Sequence, residues 1–134
     1  MSSSVILGMG SAAVLALAGA ALLVMGRSAA RGSLPRNNSF GIRTRWTLAS
    51  DAAWEAGHRA AGNQVRSGSL GALIGAVIGV GCGFLPLAGV SESATNTVIT
   101  VCILSSCAWM LAWLLAAGTV ANRAARAADA APDA

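Results

Sequence analysis

The chain has 134 residues, of which 55% are hydrophobic and 10% charged, with a net charge of +4. A soluble globular domain carries about 25% charged residues, so the composition points to one small membrane-embedded unit. The high pI of 10.3 does not indicate a nucleic-acid partner, because the basic residues, all arginine, flank apolar runs instead of forming a surface stripe.

Val5 to Met25 is an uncharged run, and about 20 apolar residues suffice to cross a bilayer. A cleavable signal peptide would place basic residues before such a run and a small-x-small site after it. Here Met1-Ser2-Ser3-Ser4 is uncharged, and Arg27 and Arg31 follow the run. The pattern is that of a retained helix with its N-terminus outside. Gly26 to Arg36 reads as a basic linker, with Pro35 and the Asn37-Asn38 pair marking a turn.

Residues 37–62 hold most of the unusual chemistry: the only histidine, two of the four tryptophans, and arginines among polar residues. Phe40, Ile42, Trp46 and Leu48 fall at even spacing around Arg43 and Arg45. In water this would be a short strand. At a membrane surface it reads as an extended or irregular segment, with aromatics in the headgroup layer and arginines reaching to phosphates. A short amphipathic helix is expected next. Ser50 is its N-cap and Asp51 complements its dipole. Glu55 and Arg59 pair along one face, Trp54 and His58 share another, and Gly62 is the stop.

Ser69 to Val90 is the second expected span. Gly71, Gly75, Gly79 and Gly83 recur every four residues in it. Such glycines cost a helix in water roughly 1 kcal/mol each against alanine; in lipid they let another backbone approach closely. Packing within the chain is the plainer use of this stripe and a homodimer contact the other. Gly8, Ala12, Ala16 and Ala20 make a matching stripe in the first span, and Ala108, Ala112 and Ala116 in the third. Ser91 to Asn96 is a polar turn, Thr97 to Val120 the third span, and residues 123–134 a fraying alanine-rich tail. Trp109 and Trp113 share a face of the third span and pack between helices or against lipid.

The fold class is therefore an all-α membrane protein: three transmembrane helices, over about 5–25, 69–90 and 97–120, plus a short amphipathic cytoplasmic helix, in one domain. Seven arginines lie between the first two spans and two in the tail. Positive charge stays cytoplasmic, which places the N-terminus outside, the C-terminus inside and residues 37–62 against anionic headgroups of the cell membrane.

The spans carry no Asp, Glu, Lys, Arg or His, unlike most transporters and pumps. Cys82, Cys102 and Cys107 form no C-x-x-C pair, and one histidine does not complete a zinc set. No metal or cofactor is expected. Catalysis would have to come from His58 with Asp51, Glu55 or Arg59, plus Thr44 or Thr47, and is the lesser reading, because a lone helical histidine is usually packed or solvated. Arg43-Thr44-Arg45 offers donors to an anion such as a lipid phosphate.

Asn37, Phe40-Gly41-Ile42-Arg43-Thr44, Trp46-Thr47-Leu48, Ser50, Trp54, His58-Arg59 and Gly62 together resemble the signature of the SdpI family. These are small bacterial membrane proteins named for immunity to a sporulation-delaying peptide toxin. Arg45 stands where the family pattern has proline. The founding member carries a further N-terminal membrane half, so this chain resembles the C-terminal-type domain alone. The resemblance implies protection against a membrane-active peptide by binding it. It also implies signalling, since the founding member holds a transcriptional repressor at the membrane. A membrane adaptor recruiting a cytoplasmic regulator is thus one alternative, and a lipid- or peptide-modifying enzyme using His58 another. The expected binding residues are Asn37, Arg43, Thr44, Arg45, Trp46, Trp54, His58 and Arg59. Trp54 would anchor the helix, and His58 would hydrogen-bond to the Arg43-Thr44 segment.

Overall fold

A computed structural model describes residues 1–37 and 39–131. The described residues form an all-helical chain: α1 (Ser3–Ala30), α2 (Asp51–Cys82) and α3 (Glu92–Asp129), with a 3-10 turn, Leu85–Ala88, before α3. Each α-helix is long and apolar enough to cross a membrane. Uncharged apolar side chains such as Leu7, Leu17 and Leu104 stand outward and exposed, as lipid-facing positions do. The chain is a multi-pass membrane protein.

The helices outrun the expected spans for local reasons. α1 continues past Met25 to Ala30 and ends in a Schellman motif. Gly32 sits at φ 69, its N–H donates to the Ala29 carbonyl (3.1 Å), and the Ser33 N–H donates to that of Ser28 (3.0 Å). The amphipathic helix expected over residues 51–62 is not a separate element. It forms the first part of α2, which passes through Gly62 unbroken. Gly62 keeps a negative φ, and a Cβ there would lie 3.0 Å from the Ala30 Cβ. It is a place of close helix approach, not a stop.

α2 ends at Cys82, short of Val90. Pro86 has no N–H to continue an α-helical ladder, and Gly89 at φ 84 closes the 3-10 turn with its N–H on the Pro86 carbonyl (3.1 Å). α3 starts at Glu92, inside the expected turn, because Ser91 caps it: its Oγ accepts the Ala94 N–H (3.3 Å). α3 also runs through most of the expected tail, to Asp129. No strand forms among the described residues. Phe40 to Leu48 is irregular, and Asn38, half of the expected Asn-Asn turn, lies outside the described residues, as do residues 132–134.

The chain divides into two compact units. The first comprises Met1–Ala21 and Gly68–Leu111. Its glycine stripe is a contact surface within the chain: Gly71 lies against the Trp109 indole, Gly75 against Ser106 and Gly83 against Met9. At Gly79 an added Cβ would be 3.3 Å from the Cys102 Cβ and 3.4 Å from the Ala12 Cβ, so this glycine lets segments of all three helices meet. On α3 the inward seam runs through Thr95, Ile99 and Ser106, which are buried. Ala108 and Ala112, expected to form a packing stripe, are exposed instead, because the larger Ile99 and Trp109 fill the space opposite Gly8 and Gly71. At one end of this unit the Ser2 N–H donates to Glu92 Oε1 (2.8 Å) and Asn96 Nδ2 to Ser4 Oγ (2.9 Å).

The second unit comprises Leu22–Ser67 and Ala112–Ala134. Its core is Ala61, Ala117 and Ala121, with Ile42 and Val65 packed against them. Small residues again set helix distance: a Cβ on Gly57 would lie 3.1 Å from the Ala121 carbonyl oxygen. The close approach leaves room for the loop between α1 and α2 to fold onto the helices instead of extending into water.

Candidate functional site

The site is built where the 33–50 loop folds onto the first turns of α2. Ser50 caps that helix, its Oγ accepting the Ala53 N–H (3.1 Å). Arg36 reaches the same turn, with Nε 3.0 Å from Asp51 Oδ1 and Nη1 donating to the Leu48 carbonyl (3.2 Å). From this start Trp54 and His58 lie one helical turn apart on one face, and both are buried, at 2% and 4% exposure.

The loop is fastened to these two rings. The Trp54 Nε1–H donates to the Leu34 carbonyl (2.9 Å). The Ile42 N–H donates to His58 Nε2 (2.8 Å), so Nε2 is the acceptor and Nδ1 carries the proton, which it gives to the Trp54 carbonyl (2.8 Å). The rings touch at a tilt of 35°, with centroids 4.0 Å apart. Gly41 crosses them at φ 102, where a Cβ would lie 2.5 Å from His58 Nε2. Only glycine allows both that φ and that distance. His58 precedes Arg66 and so lies outside the apolar part of α2. Burial holds its pKa below the ordinary histidine value, and the Trp54 carbonyl, which favours the charged ring, offsets only part of that.

A second knot follows. The Thr44 N–H donates to Thr47 Oγ1 (3.0 Å) and the Thr47 N–H to Thr44 Oγ1 (3.2 Å). The fully buried Thr47 gives its own hydroxyl proton to the Ile42 carbonyl (2.6 Å). Thr44 gives its to Asn122 Oδ1 on α3 (2.6 Å). Trp46 lies beneath two guanidiniums, those of Arg45 and Arg126, 4.3 and 4.2 Å from the ring centroid, a cation–π arrangement. Asn37 shapes the loop entry: its Oδ1 accepts the N–H groups of Ser39 (2.8 Å) and Phe40 (2.7 Å).

Beside the His58 ring is a cavity of about 210 Å3. Leu22, Met25, Ile42, Val65 and Leu114 form its apolar walls. An apolar cavity of about 150 Å3 holds benzene, and drug-sized ligands need about 300 Å3 or more. The space therefore suits one aliphatic or aromatic side chain.

The structure thus brings together Thr44, Trp54 and His58 with Gly41, Ile42 and Thr47. Arg45 and Trp46 form a separate group with Arg126. Arg43 is exposed, and Arg59 pairs with Glu55 on the outer face. Neither enters the cavity. His58 meets the loop at Ile42, the residue before Arg43. Sequence reasoning missed Asn122 and Arg126, whose only signal is polarity at the end of an apolar run, and the Leu34 carbonyl, which has none. Among the described residues no three His, Cys, Asp or Glu side chains converge as a metal site requires.

No curated protein and no solved structure matches the chain. The loop and α2 residues of the two knots, from Leu34 to His58, fall within a longer stretch, 33–119, that matches the SdpI/YfhL protein family, while Asn122 lies just beyond it. With well over half of its length so matched, the chain belongs to that family.

Proposed function

We propose that this protein is an immunity-type protein of the cytoplasmic membrane, which protects against a membrane-active peptide by binding it. In this reading the N-terminus is outside and the loop between α1 and α2 cytoplasmic, following the arginines. The observation that carries the binding role is the apolar cavity at His58, sized for one hydrophobic side chain. A peptide lying within the bilayer would insert such a side chain there, with the exposed Arg43 meeting its acidic groups or C-terminus. Both ring nitrogens of His58 are already engaged. A general base would have to give up the Ile42 bond, which favours binding over catalysis.

The test is survival of a sensitive bacterium challenged with membrane-active peptides while expressing this chain or Ala29→Leu at equal membrane levels. Ala29 is buried in the cavity wall, and leucine would occupy the space. Protection that Ala29→Leu abolishes supports the reading. Protection that survives it removes the cavity as the binding place. Absence of protection from any peptide, with the protein inserted, favours an adaptor for a cytoplasmic regulator. That second reading draws on the exposed Glu55–Arg59 pair, and Glu55→Arg would then release the regulator.

A further inference from the structure

A second cleft, of about 300 Å3, shares only Gly26 and Gly62 with the apolar cavity. Arg27 lines it from α1, Arg31 from the turn that ends α1, Asn63 and Arg66 from α2, and Gly26 and Gly62 form its floor. The two glycines bring the helices together here: a Cβ on Gly26 would lie 2.8 Å from Val65 Cγ1, and one on Gly62 3.0 Å from Ala30 Cβ. The spacing i, i+4 on α1 and i, i+3 on α2 turns these polar side chains toward one another. No acidic residue lines the cleft. Arg27, Arg31 and Arg66 make no ion pair among the described residues, whereas Arg36 and Arg59 each have a carboxylate.

Three uncompensated guanidiniums repel one another unless an anion joins them. The C-terminus of α1 adds about half a negative charge, too little to balance three positive ones. We propose that Arg27, Arg31, Asn63 and Arg66 form a site for the phosphate of an anionic phospholipid. Phosphate chemistry fits the donors, since guanidinium forks bind its oxygens two at a time and the Asn63 amide adds a further donor. A lipid is the source because the cleft sits where the apolar part of α1 ends. Val24, one turn before Arg27, is 61% exposed and apolar, so an acyl chain has a surface to follow away from the headgroup. The volume is at the lower end of small-molecule sites, about 300–1,000 Å3, which suits a headgroup. This site is distinct from the proposed peptide cavity and does not depend on it.

The experiment places the purified full chain in detergent micelles with either phosphatidylglycerol or phosphatidylcholine, and counts retained lipids by native mass spectrometry. Phosphatidylglycerol should be retained at least about tenfold better. An arginine near anionic lipid contributes about 1 kcal/mol, so Arg31→Gln and Arg66→Gln should each reduce retention about fivefold. Arg123→Gln removes the same charge outside the cleft and should change it less than twofold. Asn63→Leu fills the cleft at constant charge and should also weaken retention. Equal losses in Arg123→Gln, or full retention in Asn63→Leu, would mean diffuse attraction and overturn the site. Displacement of the lipid by millimolar glycerol 3-phosphate would assign the cleft to a soluble phosphate instead.

Discussion

Replacing Gly41 by alanine tests whether the loop is held by the two buried rings. The added methyl would meet His58 Nε2 at 2.5 Å and Trp54 Cη2 at 3.0 Å, at a residue with φ 102. The positive φ alone costs about 1–2 kcal/mol. If the rings yield, the Ile42 N–H loses its acceptor, at about 1–3 kcal/mol for a buried donor; if they do not, crowding costs a similar amount, about 1–3 kcal/mol. The sum is about 2–5 kcal/mol. Gly89 supplies the control. It too has positive φ, 84, but nothing lies within 4 Å of its Cβ position, so Gly89→Ala carries only the backbone term of about 1–2 kcal/mol. For a chain of this size 1 kcal/mol moves a melting temperature by about 3–5 °C. Thermal unfolding in detergent, followed by tryptophan fluorescence, should show Gly41→Ala melting about 3–15 °C below Gly89→Ala. Equal melting temperatures for the two variants would refute the fastening of the loop at His58.

Three further outcomes follow from the same geometry. The folded-state pKa of His58 is below its unfolded value of about 6.5, so the unfolded chain binds more protons between the two. Stability is therefore complete above about pH 6.5, falls as pH drops toward the folded pKa and levels off below it; melting curves from pH 8 to 5 should show the decline, and His58→Gln should flatten it. Asn122→Ala removes the acceptor of the Thr44 hydroxyl and should cost about 1–2 kcal/mol. A double-mutant cycle with Thr44→Val should then show the two losses to be less than additive. Gly75→Leu would place a side chain on Ser106, whereas Gly81 has nothing within 4 Å of its Cβ position; the first should abolish a monodisperse elution profile and the second leave it unchanged.

The spans were legible because uncharged runs of this length have few other physical uses. Ser50 and the Glu55–Arg59 pair were legible because capping and four-residue spacing act locally. Gly62 was misread for a reason of the same kind. A glycine after an amphipathic turn fits a C-cap, and only the position of Ala30, far away in sequence, makes it a contact point within a continuous helix. The Ala108 and Ala112 stripe failed likewise: small residues mark a seam only if the neighbouring helix turns toward them, and Ile99, Cys102 and Ser106 took that role. His58 stood out by its rarity, and its bond to the loop was expected at Arg43-Thr44 but falls at Ile42, because the N–H it accepts is a backbone group that every residue but proline shares. The arginines at the end of α1 and midway along α2 read as topology signals, and their convergence into one arginine-lined cleft needed the packing at Gly26 and Gly62.

The Thr44–Asn122 hydrogen bond joins residues 78 positions apart. During synthesis at about 5–20 residues per second, the loop leaves the ribosome roughly 4–16 s before its partner on α3 exists. Over that interval the Thr44 hydroxyl lacks its acceptor on α3, and Ile42 lacks the Ala117 and Ala121 surface against which it packs. The loop is thus among the first parts of the protein to be made and among the last to be finished. A ribosome stalled before Asn122 would leave in the membrane a chain with the whole signature sequence and an incomplete site, its loop without the α3 partners that hold it in the finished protein.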